Sequence, residues 1–194
     1  MHDPDSRRHG ALVAERRARG DALYGDRHRS AATGQLRRAT SELADTHVYI
    51  GLERERIRHG GELTAGRLHA FDRLLDHTRR IGEQLAAATR EICDPSVDFD
   101  AVRAERAAYG ERTFGERYLQ RDHLHEALEE IADAQIFIAL HADRLRHRGR
   151  HDDDVQQLLV AADDAVDALA HDVMALQAAL RQPGCHPAVE AVAP

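Results

Sequence analysis

Along the last third of the chain, apolar residues recur at alternating spacings of four and three: Val155, Leu159, Ala162, Val166, Leu169, Val173, Leu176 and Leu180. At 3.6 residues per turn these positions share one seam, so the pattern predicts a long helix that buries a single stripe. Leu68, Phe71, Leu75, Thr78, Gly82, Leu85 and Ile92 trace a second seam of the same kind, which Thr78 and Gly82 weaken. Gly60-Gly61 and Arg148-Gly149 mark the ends of the helices that precede these two, since glycine suits the conformation that closes a helix. Asp152, Asp153 and Asp154 then supply acids suited to capping and to the dipole of the next N-terminus.

The helical pattern occurs twice. ALVAERRARGDALYGDR, Ala11 to Arg27, lies over AVRAERAAYGERTFGER, Ala101 to Arg117, with 8 identities in 17. LRRATSELADTHVYIGLERERIRHGG, Leu36 to Gly61, lies over LHEALEEIADAQIFIALHADRLRHRG, Leu124 to Gly149, with 11 in 26. Matches such as Gly20 with Gly110, Asp45 with Asp133 and His59 with His147 are not products of an alanine- and arginine-rich composition. Pro4, Pro95, Pro183, Pro187 and Pro194 all fall outside the two units, as expected if each unit is helical throughout. The expected fold is therefore all-α and internally duplicated. Residues 11–93 form unit 1, 94–100 the junction and 101–182 unit 2, with flexible tails at 1–10 and 183–194. Each unit reads as a short helix, a glycine-containing loop and a long αα-hairpin. Two hairpins would pack as a pseudo-two-fold four-helix bundle, a single-chain pseudo-dimer, because neither buries its stripe alone.

Composition narrows the picture. With 42% hydrophobic residues the chain can build a core. The 27 basic residues, all arginine, are outnumbered by 34 acids, and this interspersed, net −7 balance argues against nucleic acid as a partner. Cys93 and Cys185 make no disulfide framework, and Cys185 with His186 cannot complete a tetrahedral metal site. No apolar run approaches the roughly 20 residues of a membrane span, and no apolar signal segment opens the chain. The expectation is a soluble, cytoplasmic protein with no membrane partner.

Candidate chemistry lies on the matched helices. Glu42 and Asp45 precede Tyr49, and Glu130 and Asp133 precede Phe137, at spacings that place each set on one helix face. Glu126 joins that face in the second unit, with Glu129 on its flank and His123 at its edge. A pseudo-two-fold would bring Glu42, Asp45, Glu130 and Asp133 together. Four carboxylates in a bundle core are costly without a cation, and hard oxygen donors select Mg²⁺ or Mn²⁺. The same residues also fit a solvated helix face, with acids favoured by the dipole and Arg38 paired to Glu42 at i,i+4.

SELADTHVYI and EEIADAQIFI resemble the metal-binding helix of the MazG-like, all-α nucleoside triphosphate pyrophosphohydrolases over about 20 residues in each unit. In that family a Glu-x-x-Glu helix and a later Glu-x-x-Asp helix hold Mg²⁺, which activates water to cleave a nucleotide between its α and β phosphates. The resemblance implies Glu42, Asp45, Glu130 and Asp133 as metal ligands, with Glu126 or Glu129 positioning or deprotonating the water. Phosphate would fall to arginine, with Arg117, Arg121 and Arg144 the nearest candidates. No separate Glu-x-x-Glu helix precedes either motif; Glu126 and Glu129 share a helix with Glu130, and unit 1 has Arg38 and Ser41 in their places. The function implied is a metal-dependent nucleotide pyrophosphohydrolase or a diverged nucleotide binder. The alternative is a non-enzymatic helical module that binds a protein partner.

Other polar groups read as structural. Asp72 and Asp76, matched by Asp163 and Asp167 with His171 nearby, fit an exposed flank. The Gly-x-x-x-x-Gly segments Gly20 to Gly25 and Gly110 to Gly115 lack the Lys-Ser/Thr of a phosphate loop. Their aromatics, Tyr24 and Phe114, would plug the bundle end.

Overall fold

The computed structural model describes residues 4–24, 34–61, 64–114, 122–149 and 152–181. They form six helices: α1 (Pro4–Tyr24), α2 (Gln35–His59), α3 (Ala65–Ile92), α4 (Phe99–Phe114), α5 (His123–His147) and α6 (Asp153–Arg181). Among the described residues there is no strand. The four long helices close a ring in which α2 packs on α3 and α5, and α6 packs on α5 and α3. The α2–α5 contact is the most extensive. These two run antiparallel: Arg38, early in α2, lies 5.7 Å from the ring centre of Phe137, and Tyr49 stacks at 6.0 Å on His123, the first residue of α5.

The shorter helices cross over. α1 lies against α5 and more lightly against α6, whereas α4 lies against α2 and more lightly against α3. Each short helix thus covers the central helix of the other sequence half.

Burial follows the seam. Leu159, Val166, Leu169, Val173 and Leu176 are buried on α6, with Val155, Ala162 and Leu180 packed against the same core. On α3, Phe71, Thr78, Gly82 and Leu85 face inward, and Leu74 is buried where the sequence pattern had favoured Leu75. Thr78 donates its hydroxyl to the Leu74 carbonyl at 2.8 Å, which lets a polar residue sit in the core. Gly82 is a socket for Phe99: a Cβ there would stand 2.1 Å from the Phe99 ring. Both glycine ends have the expected left-handed residue, Gly61 at φ 73° and Gly149 at φ 67°. Asp122 caps α5 through the His125 N–H at 3.1 Å, and Asp152 accepts from Val155 N–H at 3.3 Å at the start of α6.

Two sequence boundaries move. α1 begins at Pro4, so residues 4–10 are helical where a tail was expected. Proline suits a first helical turn, which has no carbonyl partner for its N–H. His9 is 3% exposed in this segment and its Nε2 donates to Gln135 Oε1 on α5 at 2.6 Å. Gly20 and Gly110 also fall inside α1 and α4 and not in loops. The expected glycine loops are thus helical through residues 24 and 114, while Gly25, Gly115, the Tyr24 and Phe114 side chains, Cys185 and His186 lie outside the described residues.

Candidate metal centre

α2 and α5 cross where their matched glutamates meet. A carboxylate oxygen of Glu42 lies within 4.8 Å of one of Glu130. Burial raises both above the ordinary carboxylate range, and for Glu130 the charges of Glu42 and Asp45 add to the rise. Asp45, one turn beyond Glu42, joins them. One oxygen from each of Glu42, Asp45 and Glu130 lies within 4.8 Å of the others, the one such group of metal-ligating side chains among the described residues.

The two aspartates each have an arginine from the crossing short helix. Arg106 of α4 donates from Nη2 to Asp45, whose carboxyl is still pushed up by burial. Arg16 of α1 holds Asp133 with two bonds, Nε to Oδ1 at 2.7 Å and Nη2 to Oδ2 at 2.5 Å, and reaches Glu129 with Nη1 at 2.9 Å. Arg16 and Arg106 occupy matched positions in the aligned halves. Sequence reading had passed over them; their identity at aligned positions of the two segments was the available signal.

The structure therefore brings Glu42, Asp45 and Glu130 together and sets Asp133 aside in a bidentate ion pair. Glu129 is drawn toward Arg16 and His125, the latter at 3.6 Å. Glu126 is half-buried one turn before Glu130. Arg38 lies over Phe137 rather than beside Glu42 as an i,i+4 partner. Arg144 neighbours Arg148 and Cys93 and lies eleven residues beyond Asp133 on the same helix, a rise of about 16 Å that keeps it away from the carboxylates. Arg117 and Arg121 lie outside the described residues. Asp72 and Asp76 lie on an exposed flank as expected, Asp72 paired with Arg54 at 3.1 Å and Asp76 with Arg79 and Arg80, whereas Asp163, Asp167 and His171 are half-buried and burial raises the Asp163 carboxyl.

An octahedral ion at about 2.1 Å from each oxygen needs donors about 3 to 4 Å apart. The three carboxylate oxygens lie within 4.8 Å of one another, and an ion would have to hold them at this closer spacing. The donor set, all oxygen and without sulfur or imidazole, suits Mg²⁺ or Mn²⁺. The chain matches no known family model, no characterised protein and no solved structure.

Proposed function

We propose that this chain binds a divalent cation, Mg²⁺ or Mn²⁺, through Glu42, Asp45 and Glu130, and acts on nucleoside triphosphates as a pyrophosphohydrolase-like protein. The observation that carries this reading is the convergence of three carboxylates from two crossing helices, two of which burial raises above the ordinary carboxylate range. Two buried carboxyls this close are costly as anions, and a dication offsets both charges where a proton offsets only one. When bound, the ion would supply charge neutralisation for phosphate and an acidified water. Glu126, half-buried one turn before Glu130, or Glu129 would position or deprotonate that water. The matched contacts of the two halves, Arg106 with Asp45 and Arg16 with Asp133, support a single-chain pseudo-dimer whose pseudo-two-fold passes near Glu42 and Glu130.

Metal titration tests the cation. Mg²⁺ or Mn²⁺ should raise the melting temperature of the full chain through linkage, and Glu130→Gln should abolish the rise. Affinity should increase with pH as the raised carboxyls ionise. Pyrophosphate release from a panel of nucleoside triphosphates should depend on Glu130 as well. An unchanged melting temperature at saturating metal, with no triphosphate turned over, would retire the reading. A helical interaction module would then take its place. The arginine pairs favour that second reading, because they neutralise Asp45 and Asp133 without metal.

A further inference from the structure

The matched arginines are held very differently. Arg16 uses Nε and Nη2 on Asp133 and Nη1 on Glu129, so two carboxylates fix its guanidinium and its side chain is 21% exposed. Arg106 has Asp45 alone among its ion pairs, its Nε is buried without a hydrogen-bond partner, and its side chain is 37% exposed. The cause is a single substitution between the halves. Glu129, the second carboxylate on Arg16, is matched by Ser41 in unit 1, and Ser41 bonds the Arg37 carbonyl at 3.1 Å instead. Among the described residues Arg106 is therefore held by one carboxylate where Arg16 is held by two, with Nη2 on Asp45, a buried Nε without a partner and a partly exposed side chain, and it stands on the aspartate that belongs to the carboxylate cluster. Arg16 stands on the aspartate that does not.

We propose that Arg106, and not its counterpart Arg16, is the anion-binding residue of this site, placed to take the phosphate oxygens of a ligand seated beside Glu42, Asp45 and Glu130. This rests on the cation reading above for what neutralises the carboxylates, and it replaces Arg117, Arg121 and Arg144 as the source of the phosphate contact. A guanidinium with donors to spare presents the planar fork that phosphate accepts. One already bound by two carboxylates has to break both contacts first. Arg16 is instead a clamp that fastens α1 to α5.

Calorimetric titration of the full chain separates the two ideas, with Mg²⁺ alone as one arm and pyrophosphate in the presence of Mg²⁺ as the other. Arg106→Gln should weaken pyrophosphate by about tenfold or more, the size of one charge-assisted hydrogen bond, while Mg²⁺ alone binds at least as well as to wild type. Arg106→Lys keeps the charge without the fork and should fall between them; it also serves if the Gln variant folds poorly. Arg16→Gln should lower the melting temperature yet leave pyrophosphate affinity near wild type, as should Arg112→Gln, at an exposed residue of α4. The proposal is overturned if pyrophosphate binds Arg106→Gln normally, if Arg16→Gln loses as much, or if wild type binds no pyrophosphate. Absence of Mg²⁺ binding, with Arg106-dependent pyrophosphate binding retained, would instead overturn the cation reading and leave this one standing.

Discussion

At the scale of single residues, the smallest side chains have the largest consequences. Gly82 interrupts an apolar seam, and from the sequence it looks like a defect in α3. In the fold its missing Cβ is filled by the Phe99 ring, which is only 2% exposed and cannot swing into solvent. Gly82→Ala is therefore expected to destabilise the protein by about 1–3 kcal/mol through overpacking, despite alanine's better helix propensity. Urea denaturation checks it, and a neutral or stabilising outcome would mean that Phe99 relocates without cost. The seam itself was legible because burial at 3.6-residue spacing is a local property. The partner of Gly82 was not, since Phe99 lies 17 positions away across the junction and reaches α3 only after the chain turns. Ser41 against Glu129 is a similar case: a visible mismatch between copies whose meaning depends on Arg16 and Arg106.

At the scale of helices, α6 is the clearest amphipathic element, and its stripe does what the pattern implies. Leu169 is fully buried between helices, while Val160 on the same helix is 59% exposed. Leu169→Asp should unfold the chain, because a carboxylate without a partner in that position costs several kcal/mol against a marginal total stability. Val160→Asp should change stability by no more than about 0.5 kcal/mol. Circular dichroism during thermal unfolding distinguishes the two, and a folded Leu169→Asp protein would place the core elsewhere. The short helices were harder to read. α1 and α4 bury few apolar side chains, chiefly Phe99 with Leu12 and Val102 half-buried, so their apolar pattern is weak, and polar long-range contacts add to what holds them. His9 bonds Gln135, Arg16 clamps Asp133, and Arg106 meets Asp45. That is also why the start of α1 was taken for a tail: Asp-Ser-Arg-Arg-His carries no hydrophobic signal of its own.

At the scale of the whole molecule, the raised carboxyls of Glu42 and Glu130 couple the site to global stability. Burial raises both groups and neighbouring carboxylate charge adds to the rise, so the folded protein holds protons that the unfolded chain releases above about pH 4.3. The folded state then binds more protons, and stability falls as pH rises from that value through the raised ones. Without metal, the urea midpoint of wild type is expected to drop more steeply between about pH 5 and 8 than that of Glu130→Gln, which has no such proton to lose. Parallel slopes would mean that Glu130 holds no such proton. Sequence alone determined the helical class, the long helices, their buried stripes and the repetition of Glu-x-x-Asp, all set by the spacing of residues a few positions apart. Only the tertiary structure decided which carboxylates converge. That choice depends on where α2 crosses α5 and on which half each short helix covers, and these follow from long-range packing. The crossing placed Glu42 against Glu130, and the exchange of α1 and α4 gave Asp133 to Arg16 and Asp45 to Arg106. Four equivalent acids in the sequence thereby became three clustered donors and one clamped ion pair, because a guanidinium from a distant helix offsets carboxylate charge as directly as a neighbouring residue does.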